Sequence, residues 1–159
     1  AAFIGYAIGT APVIGYHDGA KNHGELHGLL RKSLIMIGAF GVCMVLAAQL
    51  LAVPLAHLFV GYDDELMTLT VTGFRIFAAS FIFMGYAIFG SGFFTALNDG
   101  LTSALISFLR TVVFQVAAVL ILPAICGVNG IWFSIDVAEL MAVVFFVFFM
   151  IIKRKKYGY

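Results

Sequence analysis

The chain has 159 residues, of which 63% are hydrophobic and only 11% are charged. Soluble globular domains are about half apolar and about a quarter charged, so this composition indicates an integral membrane protein. The formal net charge of +1 gives no electrostatic basis for a nucleic-acid partner. The two cysteines, Cys43 and Cys126, lie within or beside apolar runs and indicate neither a disulfide framework nor a metal site.

The apolar residues form runs that predict membrane-spanning helices. Residues 1–14 are apolar but too few to cross the bilayer, which takes about 20 helical residues. We therefore expect the chain to begin part-way through a helix, as the C-terminal piece of a longer protein. Four further runs are long enough to cross, at residues 33–60, 66–97, 101–125 and 130–152. Because lipid satisfies no backbone polar group, each run is predicted to be an α-helix.

The predicted fold class is thus an all-α integral membrane protein with four complete transmembrane helices and the end of a fifth. Short connections make neighbouring spans antiparallel. The one longer link, residues 15–32, and the tail, residues 153–159, hold seven of the nine Lys and Arg residues. The connections on the opposite side hold none. By the positive-inside rule the link and tail are predicted to be cytoplasmic, in a multi-pass protein of the plasma (inner) membrane.

Four charged residues lie within the predicted spans: Arg75, Arg110, Asp136 and Glu139. A charge in hydrocarbon is costly unless it has a partner or a water-filled cavity. A rise of about 1.5 Å per residue brings all four to a similar depth. We expect the two arginines to neutralise the two carboxylates inside the bundle. Two roles stay open for this network: holding helices together, or taking up a proton or sodium ion on one carboxylate during transport.

Other side chains offer weaker signals. His17, His23 and His27 cluster in the link, and HGELH resembles a zinc-protease pattern except that Gly24 replaces the general base. We interpret these histidines as solvated link residues and predict no metal site. No nucleophile–base constellation or phosphate loop is present, so no enzymatic activity is predicted.

Aromatic residues crowd the predicted span at residues 66–97. Most such side chains face lipid or neighbouring helices. Phe81 and Tyr86 are candidates for lining a pocket that accepts a flat, lipophilic substrate.

The segment PVIGYHDGAKN at residues 12–22 resembles the run that leaves the eighth helix in the multidrug and toxic compound extrusion (MATE) transporters. This family belongs to the polysaccharide-exporter-like (MOP) superfamily. The resemblance continues through GFRIF at 73–77, FFTALND at 93–99, SFLR at 107–110, LPAICGVNGIW at 122–132 and AE at 138–139. It implies a twelve-helix fold in two six-helix lobes, of which this chain supplies the end of helix 8 and helices 9 to 12. The missing N-terminal lobe of the same chain would complete the transporter.

The resemblance also implies a function. Members export small cationic or amphipathic compounds by antiport against sodium ions or protons, through alternating access, and need no cofactor besides the coupling ion. The implied partners are these substrates, the lipid bilayer and the missing lobe. In the matching segment, the residues expected to form a cytoplasmic gate or turn are Pro12, Gly15, Tyr16, Gly19 and Asn22.

Two alternatives remain open. A lipid-linked oligosaccharide flippase of the same superfamily would be expected to carry more cationic residues in its cavity than Arg75 and Arg110. A small non-transporting membrane scaffold or subunit would explain the many packing glycines without an ion site. An intramembrane enzyme is the weakest alternative, because no catalytic cluster is visible.

Overall fold

A computed structural model describes all 159 residues, and every regular element in it is a helix. Helix α1 spans Ala2–Gly19, and helix α2 runs without a break over His23–Val60. The connection between them is a turn of three residues in which Lys21 has a φ of 54°. The Asn22 side chain caps α2 by accepting a hydrogen bond from the N–H of Glu25 at 3.4 Å.

The predicted link at residues 15–32 is therefore helical for most of its length, and α2 begins ten residues earlier than the predicted span. The reason lies in the spacing of its buried side chains. Leu26, Leu30, Ser33 and Ile37 recur every three or four residues and bury one face of the extended helix. Polarity alone suggested a loop, whereas this periodicity and the Asn22 cap favour a helix.

The predicted span at residues 66–97 is two helices, α3 at Asp64–Ala78 and α4 at Ser80–Ala96, which meet at a bend of 40°. At the bend the hydroxyl of Ser80 donates a hydrogen bond of 2.7 Å to the carbonyl of Phe77. A side-chain hydroxyl that bonds to the preceding turn satisfies a carbonyl that a straight helix would bond through its own backbone.

The next span, Gly100–Cys126, is continuous but changes its winding part-way. It consists of α5 at Gly100–Phe108, a π-helical segment at Leu109–Phe114, and α6 at Gln115–Cys126. π-Helical turns are rare, appear mostly as single turns inside α-helices and are frequent at functional sites. This segment contains Arg110, one of the charged residues inside the spans.

The last helix, α7, spans Val128–Tyr157 and ends at Gly158, which has a left-handed φ of 74°. Three helices are long and apolar enough to cross a membrane, and up to four if the bent pair α3–α4 counts as one span. Large apolar side chains point outward along the spans, for example Leu50, which is 79% exposed. Such outward faces are suited to lipid.

Helix α4 is the centre of the bundle and packs against α1, α2, α5 and α7. Glycines on different faces of α4 allow these close approaches. A Cβ at Gly85 would lie 2.7 Å from the Phe3 ring of α1, and one at Gly92 would lie 3.0 Å from Ala7. Gly90 is similarly covered by the Phe146 ring of α7. Small residues at such positions let transmembrane helices gain packing that lipid does not supply.

Candidate functional site

An ion pair joins the π segment to α7. The guanidinium of Arg110 donates three hydrogen bonds to the carboxylate of Glu139, with N–O distances of 2.7, 2.8 and 3.0 Å. The Glu139 side chain is 9% exposed and the Arg110 side chain 21% exposed. A forked, charge-assisted contact of this kind fixes orientation as well as charge balance. The sequence predicted a network of two arginines and two carboxylates, of which the structure forms this one pair.

The π winding contributes to this geometry. A π turn inserts an extra residue, so the side chains beyond it point in directions that an unbroken α-helix would not give. Arg110 lies in the first turn of the segment, and its guanidinium reaches the face of α7 that carries Glu139.

Asp136 lies on the same face of α7 as Glu139, three residues earlier, but it forms no ion pair. Its Oδ1 atom is buried and has no hydrogen-bond partner. The backbone N–H of Ser80 faces the carboxylate from the first residue of α4. The carboxylate therefore lies at the bend between α3 and α4, where the N-terminal end of a helix presents its positive dipole.

One helical turn before Asp136, Trp132 anchors α7 to α3. Its indole ring covers Gly73 so closely that no side chain would fit at that position. The indole N–H is buried and unpartnered. One face of α7 thus carries Trp132, Asp136 and Glu139, each of which contacts a different feature of the neighbouring helices. These features are the Gly73 contact, the α3–α4 bend and the π segment.

The structure does not bring Arg75 into this network. Its side chain is exposed and has no carboxylate within ion-pair distance, while its backbone carbonyl accepts a hydrogen bond of 3.0 Å from the Gln49 side chain. The physical reason is its register. Residues two apart do not share a helix face, so Arg75 points away when Gly73 packs against α7.

The predicted gate segment is mostly helical. Pro12, Gly15, Tyr16 and Gly19 all lie inside α1, and only Asn22 lies in the turn that follows. Gly15 packs closely on α4, since a Cβ there would lie 3.3 Å from the carbonyl oxygen of Ala96. The expectation that helix 8 ends near residue 14 is therefore replaced by a helix that continues to Gly19.

The two predicted cavity aromatics are both half-buried on α4. Tyr86 fills the notch left by Gly38 of α2, so it serves helix packing. Phe81 packs edge-on against Phe77, with 5.7 Å between the ring centroids. The structure does not bring Phe81 and Tyr86 together around a shared site, and their role in substrate binding stays a prediction.

A polar network at the basic end of the bundle was not anticipated from the sequence. Asp99 caps α5 and also accepts hydrogen bonds of 3.0 Å from the Tyr157 hydroxyl and the Lys153 ammonium. Burial by itself would raise the pKa of Asp99, but the bonds from Lys153, Tyr157 and Thr102 outweigh it and lower the pKa to about 2. The KRKKYGY tail is thus docked onto the bundle. The two tyrosines of the tail, Tyr157 and Tyr159, were the feature of the sequence that could have indicated this docking, because both side chains are buried.

Of the three histidines in the predicted link, His23 and His27 are exposed and His17 is half-buried. His23 donates from Nδ1 to the carbonyl of Tyr157 at 2.8 Å, which ties the start of α2 to the end of α7. No group of three or more potential His, Cys, Asp or Glu ligands is placed to hold a metal ion.

Comparison with known proteins identifies the family. A family model described as MatE matches residues 1–121 of the chain. The chain belongs to the MatE family. This confirms the resemblance that the sequence motifs indicated, and it makes the protein a multi-pass membrane protein of a transporter family rather than of an enzyme family.

The fold agrees with that assignment. A solved structure described as "Crystal structure of MATE in complex with MaL6" superimposes with a TM-score of 0.86 at 19% sequence identity. The match covers 98% of this chain and 36% of that chain, so this MatE chain spans about a third of that protein's length. No curated protein sequence matches the chain.

Proposed function

We propose that this MatE chain is part of a secondary active exporter of cationic or amphipathic compounds, driven by antiport of sodium ions or protons. The helices described here would form part of one lobe, and substrates would cross by alternating access. We also propose that the protein lies in the plasma membrane with its basic end in the cytoplasm. The observation that carries the proposal is the unpaired carboxylate of Asp136 at the α3–α4 bend.

Three features support Asp136 as the coupling residue. Ionisable side chains inside membrane spans are rare, and they mark substrate or ion pathways and proton relays. Broken helices whose ends point at a buried charge are the usual ion and substrate sites of secondary transporters. The neighbouring carboxylate, Glu139, is already neutralised by Arg110, whereas Asp136 has no cation within ion-pair distance.

A proton or sodium ion on Asp136 would remove an unpaired charge from the α7 face that packs against the bend. A ligand shifts a conformational equilibrium only through its different affinity for the two states. We propose that the ion binds Asp136 more tightly in one state, because a change in the bend at Ala79 would alter the solvent access of the carboxylate. The Arg110–Glu139 pair would keep its geometry in both states and position α7.

The test is efflux of a fluorescent cationic dye from cells that express the full-length protein. We expect efflux to require an inward gradient of protons or sodium, and Asp136→Asn to abolish this gradient-driven efflux. Glu65→Gln, which removes an exposed carboxylate at the start of α3, is the matched control and should transport normally. Equal membrane levels of the three proteins exclude a defect in expression or insertion. Gradient-driven efflux by Asp136→Asn would contradict the proposal.

A further inference from the structure

A positively charged groove lies between the start of α2 and the end of α7. It has a volume of about 700 Å³ and opens to the surface. Seven residues line it: His23, Gly24, His27, Arg154, Lys155, Gly158 and Tyr159. We call it the basic groove. The side chains of the lining include two permanent cations, two histidines and no carboxylate.

The groove's cationic groups are free to bind an anion. Arg154 uses its Nε to donate to the carbonyl of Tyr159 at 3.2 Å, which leaves both terminal nitrogens of the guanidinium available. No side-chain hydrogen bond or ion pair engages Lys155. The carboxylate at this end that could compete most strongly, Asp99, is already held by Lys153 and Tyr157.

The surroundings reinforce this charge. This end of the bundle holds seven Lys and Arg residues against three carboxylates, Asp18, Glu25 and Asp99. The first turn of α2 also points its free backbone N–H groups toward this end, and such groups favour anions. Neither Asp18 nor Glu25 lines the groove.

An apolar groove continues from the basic one. His27 also lines a second depression of about 320 Å³, together with Leu30, Arg31, Leu34 and Ile35 of α2. Leu30 and Leu34 lie on successive turns, so this depression runs along the helix axis away from the charged end. On α7, exposed Ile151 and Ile152 come directly before the cationic residues. The junction of the two grooves therefore lies where lipid-facing surface gives way to charge.

We propose that this pair of grooves is a binding site for an anionic phospholipid. Its phosphate headgroup lies in the basic groove on Arg154 and Lys155, and an acyl chain follows the apolar groove along Leu30 and Leu34. Basic pockets at the membrane surface recognise anionic headgroups because charge attraction and acyl-chain burial act together. A bound lipid would join α2 to α7 across the bundle. The proposal does not depend on what the protein transports.

The test is native mass spectrometry of the full-length protein, titrated with phosphatidylglycerol and separately with phosphatidylcholine. We expect phosphatidylglycerol to bind more tightly. A cation that contacts the anionic headgroup is expected to contribute about fivefold in affinity, so Lys155→Gln should weaken phosphatidylglycerol binding about fivefold. The double variant Arg154→Gln/Lys155→Gln should weaken it about 25-fold.

The matched controls remove the same charge at the same end of the bundle but outside both grooves. Lys32→Gln corresponds to the single variant, and Lys21→Gln/Lys32→Gln corresponds to the double variant. We expect both to bind phosphatidylglycerol like the parent protein. Equal losses in the control and groove variants would show a diffuse surface charge and overturn the proposal.

A third arm separates a lipid from a soluble phosphate. Glycerol 3-phosphate carries the same anionic group without acyl chains, and we expect it not to displace phosphatidylglycerol at equal concentration. Displacement would show that the apolar groove contributes nothing, and would overturn the assignment to a lipid. Because Lys155 forms no hydrogen bond or ion pair within the protein, Lys155→Gln tests the site even if the double variant folds poorly.

Discussion

Separating the Arg110–Glu139 pair is expected to destabilise the bundle much more than removing both partners together. Glu139 lies on α7 and Arg110 on the π segment, and both are largely buried within membrane-spanning helices. In Glu139→Leu the guanidinium loses all three of its hydrogen bonds and stays as an uncompensated charge. Leaving one member of a buried pair costs about 3–5 kcal/mol of unfolding free energy. Arg110→Met should cost a similar amount for the same reason.

The double variant Arg110→Met/Glu139→Leu removes both charges and leaves apolar side chains of comparable volume. Replacing a whole buried pair in this way is often neutral or stabilising. We therefore expect the double variant to lose less unfolding free energy than the two single variants together. The difference should be at least about 2 kcal/mol, near the upper end of measured couplings between contacting residues.

The assay is reversible unfolding of the purified protein in mixed micelles, with helix content followed by circular dichroism. Asp136→Asn is the internal control. It removes an intramembrane charge that has no ion-pair partner, so it should leave the unfolding free energy unchanged or raise it. A double variant as unstable as the summed singles, with a coupling below about 0.5 kcal/mol, would refute the reasoning.

Three further predictions concern packing and the docked tail. Gly90→Val should lower the unfolding free energy by about 1–3 kcal/mol because the valine methyl groups meet the Phe146 ring. Gly28 has open space around it, so Gly28→Ala should raise the unfolding free energy by about 0.5–1 kcal/mol. Asp99 has a usual pKa of 3.8 that the fold lowers to about 2. Its contribution of about 2 kcal/mol is therefore complete above pH 4 and is lost as the pH falls toward 2. The unfolding free energies of the parent and Asp99→Asn should converge over that interval, and a constant difference would contradict the assignment. Tyr157→Phe removes a hydrogen bond to a charged group and should cost about 1.5–3 kcal/mol at neutral pH. The same change at exposed Tyr62 should cost less than about 0.5 kcal/mol, so equal melting temperatures of the two variants would contradict the buried network.

The sequence was sufficient to predict the class and the approximate spans, because hydrophobic runs of 20 or more residues have few structural solutions. It was less reliable where polar residues occur in a helix. The polarity of residues 15–32 indicates a link, although the buried leucines after Asn22 recur at helical spacing. The bend at Ala79 was missed because neither proline nor a polar gap marks it.

The candidate site was partly predictable for a similar reason. Depth along a helix follows from residue counting, which brought Arg110 and Glu139 to the same level. The direction in which a side chain points depends on helix packing, and the exclusion of Arg75 follows from the close contact of Gly73 with Trp132. The π segment and the docking of Tyr157 on Asp99 depend on contacts between distant parts of the chain, which a single sequence does not display.

The central position of α4 has a consequence for biogenesis. Helices enter the bilayer in chain order, so among the helices described here α1 to α3 precede α4 and are available to cover its glycine faces. Gly85 and Gly92 find their partners at once, since Phe3 and Ala7 have already been inserted. Gly90 has to wait for Phe146 on α7, so its partner is absent until that helix is inserted. Nascent chains arrested before α7 should consequently remain exposed to membrane quality-control proteases until α7 is inserted.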